Sequence, residues 1–437
     1  MKQYFLHLSE KLRSSFWSVP LTMILSAFAL AYILRVIDAS IDPASLTGFD
    51  WLRVRDADSA RSLLSVIAGS TITVAGTVFS ITVVALTLAS NQFGPRLVRN
   101  FIRDRGTQVS LGIFLSTFVY AVLTMRSIST LGENSSNYDL AVQAALLLAL
   151  ISICYLIYFI HNVAQSIQVD NVTHQINQEF HQAIEREYPK SEEDSRGETF
   201  DIERLELGTG WINIPAPSGG YVQFIDRQGL IAVAAEFDCC LLIDCHPGTY
   251  IHHWSVIGRI YQPRENADNL IAQVQGALEI GPLPTSAQDI VFSIRQLAQI
   301  AERALSPGIN DPFTAYSCID RLIEGLGTVL QRPEPPNCFN DSDGKLRLVT
   351  CELEFSHLLN AALDEIYEHG RGNGVVMRHL LNALAELADV CAREHDRKAL
   401  YDYLQRMAED SDAFLPSRVD RALIEEKIAA IQQNLTA

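Results

Sequence analysis

Basic residues are in short supply. The 437-residue chain holds 34 Lys and Arg against 51 Asp and Glu, a formal net charge of −17. Nucleic-acid binding needs cations facing phosphates, so this balance argues against a nucleic-acid partner. The chain also lacks a glycine-rich phosphate loop, a Gly-x-Ser-x-Gly elbow and a His-Glu-x-x-His pair. Without them no enzyme activity is expected, and no cofactor. The eight cysteines form no disulfide-type spacing: Cys154 lies in an apolar run and seven are scattered through the acidic remainder. That is the pattern of a reduced compartment.

Charge is missing altogether from four long stretches, at about residues 16–34, 63–90, 107–125 and 140–160. Each has roughly 19 or more residues free of Asp, Glu, Lys and Arg, enough to cross about 30 Å of hydrocarbon. The first is long for a cleaved leader, and no small-x-small site follows it promptly. Residues 1–162 hold 12 basic and 9 acidic residues, leaving 22 basic and 42 acidic for 163–437. A membrane part thus precedes an acidic, soluble part. Lys2, Lys11 and Arg13 precede the first span, and Arg96, Arg99, Arg103 and Arg105 lie between the second and third. Arg35 and Arg126 fall on the other side. The positive-inside rule then puts both termini in the cytoplasm. In "NQFGPRLVRNFIRDRG", Phe93, Leu97 and Phe101 alternate in face with Arg96, Arg99 and Arg103, a short basic amphipathic helix suited to a membrane surface.

The second span, "GSTITVAGTVFSITVVALTLAS", carries eight hydroxyl residues. Five of them, Ser70, Thr73, Thr77, Ser80 and Thr87, share one helical stripe, with Gly69 and Gly76 seven apart. Three readings compete: hydroxyls bonded to their own backbone, small residues packing helices closely, or a hydroxyl wall facing a water-filled path. The absence of an ionisable residue in every span core favours a passive pore over a coupled carrier.

Beyond the spans, Val172, Ile176, Phe180, Ile184 and Tyr188 recur near every fourth position, suggesting a stalk helix over 163–198 that ends in the polar linker "SEEDSRGE". Residues 199–283 read as a small β-rich domain with strands "GYVQFI", "CLLID" and "TYIHHW" and a helical insert "LIAVAAEF". Its Cys239, Cys240, Cys245, His246, His252 and His253 fit no standard zinc spacing, so no metal is expected there. Residues 284–437 read as a helical domain with one short strand after "DSDG". In "SPGINDPFTA", Pro307-Gly308 stops one helix and Asp311-Pro312 starts the next. That corner, with Arg303, Asn310 and Asp311, is a candidate ligand or subunit contact. The fold class is therefore membrane α-helical with four transmembrane helices, followed by a cytoplasmic α+β part.

The stretches "NQFGPRLVRNFIRDRGTQVSLGIFLSTFVYAVL", "GYVQFID…HPGTYI" and "IRQLAQIAERALSPGINDPFTA" resemble uncharacterised bacterial predicted membrane proteins grouped as a domain of unknown function. The resemblance implies four spans, a soluble part and placement in the bacterial inner membrane. It implies no activity. The leading expectation is a homo-oligomeric channel or pore-like transporter, with lipid, further copies of itself and inorganic ions as partners. The alternative is a non-conducting membrane scaffold or signalling regulator.

Overall fold

A backbone surrounded by hydrocarbon must satisfy its own N–H and C=O groups, so uncharged runs of this length fold as helices. The computed structural model describes residues 17–40, 57–93, 104–130, 139–166, 168–191, 210–261, 267–286, 288–351, 353–414 and 417–436. Its first helices are α1 (Ser18–Ser40), α2 (Ala57–Phe93), α3 (Arg105–Thr130) and α4 (Asp139–Ser166). Stretches long and apolar enough to cross a membrane run over Ser18–Asp38, Ala57–Ser90, Arg105–Ile128 and Asp139–Ser166. Most limits lie beyond those expected from charge-free runs. A helix does not stop at the first charge, and Asp58, Arg61 and Arg105 sit inside its first turns. The chain divides into two compact units, Met1–Asn171 and Val172–Ala437.

In the first unit α3 is the central helix. Of its apolar window 56% is buried, against 11%, 22% and 22% for α1, α2 and α4. Small residues make this possible. A Cβ on Gly112 would come within 2.5 Å of Met23 Sδ and 3.3 Å of Pro20 Cα, so α1 and α3 meet closely there. Carboxylates close both ends of the bundle. Asp104 Oδ2 accepts from the Thr107 amide (3.0 Å) and from Asn162 Nδ2 (2.8 Å), tying the start of α3 to α4. At the other end buried Asp38 of α1 accepts from the amides of Leu140 (3.2 Å) and Ala141 (3.0 Å). It thus caps the first turn of a helix about a hundred residues away in sequence, satisfying two donors that the helix itself cannot.

The second unit begins within α5 (Val169–Glu187). The sequence suggests a stalk continuing the fourth span, and the structure corrects this. Helix α4 ends at Ser166, and the apolar stripe of α5 (Val172, Ile176, Phe180, Ile184) is buried. Phe180 lies on Gly325 so closely that a Cβ there would stand 2.0 Å from its ring. Burying each such side chain contributes about 1.5–3 kcal/mol. A one-sided apolar stripe is a packing face, and a free stalk has nothing to pack against.

Next come β1 (Trp211–Pro215), β2 (Gly220–Ile225), α6 (Arg227–Glu236), β3 (Cys240–Ile243), β4 (Tyr250–Ile251), β5 (Val256–Tyr261), α7 (Ala267–Gly276) and β6 (Leu278–Gly281). The "LIAVAAEF" segment lies within α6 and its end. Two strands come from far downstream, β7 (Cys338–Asn340) and β8 (Leu346–Thr350). A five-stranded sheet has the order β1-β5-β3-β8-β7, and a three-stranded sheet the order β4-β2-β6. Strand β8 runs parallel to β3, pairing Leu241 with Leu348 and Ile243 with Thr350. The sheet therefore draws on residues well past 283 and is not confined to 199–283. The remaining helices are α8 (Ile290–Leu305), α9 (Pro312–Leu330), α10 (Phe355–Gly370), α11 (Gly374–Val390), α12 (Glu394–Phe414) and α13 (Arg418–Thr436).

Candidate functional site

Helix α2 has two faces of opposite character. Ala60, Leu64, Ile67, Ala68, Thr71, Ala75, Val78, Ala85 and Ala89 are buried on one face, a seam against the other helices. Roughly opposite on the wheel, Ser70, Thr73, Thr77, Ser80 and Thr87 are all exposed. A Cβ on Gly69 or Gly76 would meet nothing within 4 Å. Beside Thr22 and Ser26 of α1, the outer surfaces of α1 and α4 expose Leu21, Leu25 and Phe28, and Leu147, Leu150 and Ile157. Those are side chains for lipid, whereas the exterior of α2 mixes apolar residues such as Val66 and Val84 with a line of hydroxyls and glycines.

The hydroxyls have a defined polarity. Thr73 Oγ1 donates to Gly69 O (2.8 Å), Thr77 to Thr73 O (3.1 Å) and Thr87 to Val83 O (2.9 Å). Each spends its one proton on the backbone four residues earlier. What it presents outward is oxygen lone pairs.

A second set of hydroxyls escaped the sequence reading. Ser110, Ser116, Thr117 and Thr124 of α3 are buried inside the bundle, and Thr117 Oγ1 lies 3.1 Å from Ser152 Oγ of α4. Tyr120 donates from its hydroxyl to Ala141 O at 2.8 Å. The seven-residue spacing of Ser110, Thr117 and Thr124 is the signal that could have shown it. Ser110 and Ser116 donate to their own helix, at Gly106 O and Ile113 O, while Thr117 and Tyr120 bond across to α4.

The other candidates do not belong to this helix. Arg96, Arg99 and Arg103 fall outside the described residues. Arg303, Asn310 and Asp311 sit at the α8–α9 corner, in the second unit. Asp311 caps α9, accepting from the Thr314 amide (3.3 Å) and from Thr314 Oγ1 (2.6 Å). Asn310 takes φ of 49°, the left-handed conformation that asparagine tolerates. Ile309 and Phe313 flank it, exposed by 53% and 80%.

The Cys and His cluster disperses. Cys239 packs in the main sheet core, and Cys240 packs beside Cys338 in a separate cluster. Burial pushes the thiols of Cys239 and Cys240 up to about 11 and that of Cys245 to about 12, so all three hold their protons. Burial also lowers His246, whose Nδ1 lies 2.9 Å from Pro247 O. Among the described residues one mixed group converges elsewhere: the donor atoms of Glu334, His395 and Asp396 lie within 4.8 Å of one another. His395 Nε2 is 2.7 Å from Glu334 and 3.1 Å from Asp396, whose other oxygen accepts from Arg393 Nε at 2.6 Å.

Residues 13–386 match the family of predicted membrane proteins described as DUF2254. The chain belongs to the DUF2254 family. The match takes in all four apolar helices, both sheets, the hydroxyl face and the α8–α9 corner. DUF2254 relatives include uncharacterized proteins of Mycobacterium bovis and of two Mycobacterium tuberculosis strains. Each is 30% identical over 374 residues, covering 84% of this chain and 70% of the relative. No solved structure matches the chain.

Proposed function

We propose that this DUF2254 protein is a homo-oligomeric channel or pore-like transporter of the bacterial inner membrane. Helix α2 lines the path, and the acidic second unit is a cytoplasmic regulatory module. Both termini are cytoplasmic, and no catalytic step is assigned. One observation carries the reading: the exterior of α2 opposite its buried seam bears aligned hydroxyls and two open glycines. In a bilayer such a face gains most by meeting other small-residue faces or water. Because its threonines donate inward, the wall offers acceptor oxygens, which suits cations over anions.

The test is flux through purified protein in liposomes, with the oligomeric state measured alongside. Thr77→Leu and Ser80→Leu change the conductance. Gly76→Leu, whose Cβ would meet nothing within 4 Å in the single subunit, breaks the assembly. A monomer, or no flux under any ionic or tension condition, refutes the proposal. A second reading, a non-conducting scaffold, draws on the same backbone-bonded hydroxyls, which also suit a dry helix contact. Assembly that depends on Gly76, without flux, selects it.

A further inference from the structure

We infer that the first turns of α8 and the loop His246–Thr249 form a buried binding site for an alkali cation. Asp289, Ser293 and Gln296 follow one another at steps of four and three on one face of α8. They are exposed by only 6%, 0% and 2%. Asp289 Oδ1 accepts from the Phe292 amide at 3.1 Å, the ordinary duty of a helix cap. Its Oδ2 is turned to Gly248, where a Cβ would stand only 2.2 Å away, so this loop approaches the carboxylate as only glycine, with φ of 89°, allows. Ser293 Oγ and Gln296 Oε1 are buried without a hydrogen-bond partner, as is Thr249 Oγ1, the residue after Gly248.

Buried polar atoms in native proteins are nearly always paired, and each exception asks for an explanation such as an ion. Every atom concerned is oxygen: one carboxylate, one carboxamide and two hydroxyls. Helical side chains lean toward the N-terminus, so residues at these steps stack one above the next along the face that Asp289 caps. An all-oxygen set selects a hard cation over zinc or copper. A single carboxylate, with the positive field of Arg295 beside it, matches one positive charge and leaves a divalent ion under-compensated. The site lies in the second unit, and the inference holds whether or not the membrane part conducts.

The experiment uses the full-length protein in detergent, at fixed ionic strength, with N-methyl-D-glucamine chloride replaced stepwise by NaCl or KCl. The melting temperature of the wild type rises and saturates. In Ser293→Ala and Gln296→Leu, which keep the carboxylate, the midpoint concentration rises at least about tenfold. Should either variant fail to fold, crystals of the wild type soaked in Tl+, a K+ surrogate, supply the answer through an anomalous peak within coordination distance of Asp289 Oδ2. An equal response to all salts, unchanged midpoints in both variants, or only water at these atoms in Tl+-soaked crystals overturns the inference.

Discussion

Replacing Asp289 with asparagine should make the protein more stable at pH 8, against the usual trend for buried substitutions. Burial lifts this carboxyl from its ordinary 3.8 to about 6, and the hydrogen bond from the Phe292 amide and the charge of Arg295 only partly offset the rise. A folded-state value above the unfolded one means that the folded chain holds the proton longer. Its contribution to stability is therefore greatest below about pH 4, falls as the pH climbs to about 6, and is flat above. The gap of about two units, at about 1.4 kcal/mol per unit, makes the loss on the order of 3 kcal/mol. Asparagine keeps the capping oxygen for Phe292 and removes the titration. For a unit of this size that is roughly 5–10 °C in melting temperature. The assay is thermal unfolding of both proteins from pH 4 to pH 8 in N-methyl-D-glucamine chloride, with hydrogen exchange of residues 290–305 reporting the helix itself. The curves should meet near pH 4 and diverge above it. If the variant melts lower than the wild type at pH 8, or keeps the wild-type slope between pH 4 and 6, the assignment of a strained carboxylate is wrong.

Other outcomes follow from the same kind of reasoning. Asp38→Ala orphans two amide donors at the start of α4 and should cost about 2–4 kcal/mol, read by denaturant titration in mixed micelles; Asp38→Asn, which keeps one acceptor, falls between. Gly325→Ala forces Phe180 aside and should lower stability by about 1–3 kcal/mol, visible as faster exchange in α5. A thiol reagent at pH 8 should modify exposed Cys351 readily and leave Cys239, Cys240 and Cys245 untouched until the protein is unfolded; rapid labelling of Cys245 in the native state contradicts its burial.

The membrane helices were legible because run length and absence of charge are sufficient signals for a span. Their arrangement was not. The hydroxyls of α2 and α3 look alike as text, yet one set faces outward and the other is buried inside the bundle. Only the buried alanine-rich seam of α2, on the side opposite the hydroxyl stripe, distinguishes them. In the second unit the amphipathic stripe of α5 was visible but its partner was not, since Gly325 lies nearly 150 residues downstream. The parallel pairing of β3 with β8 leaves no trace in alternation, because both strands are buried on both faces. The site around Asp289 was hidden for a plainer reason. Asp289, Ser293 and Gln296 read as polar surface on an amphipathic helix, and their burial comes from tertiary packing.

The cap that Asp38 places on α4 also bears on how the molecule is made. Helices leave the ribosome in order, and α1 enters the bilayer while the residues it will cap have not been synthesised. Until Leu140 and Ala141 arrive, a carboxylate sits at the end of the first span without its two amide partners, and α3 lacks one of its neighbours. A nascent chain arrested before residue 139 is therefore a distinct species in which the Asp38 carboxylate lacks both amides. Completion of the fourth span closes that window, and the Asp38 contact marks the passage from inserted to assembled.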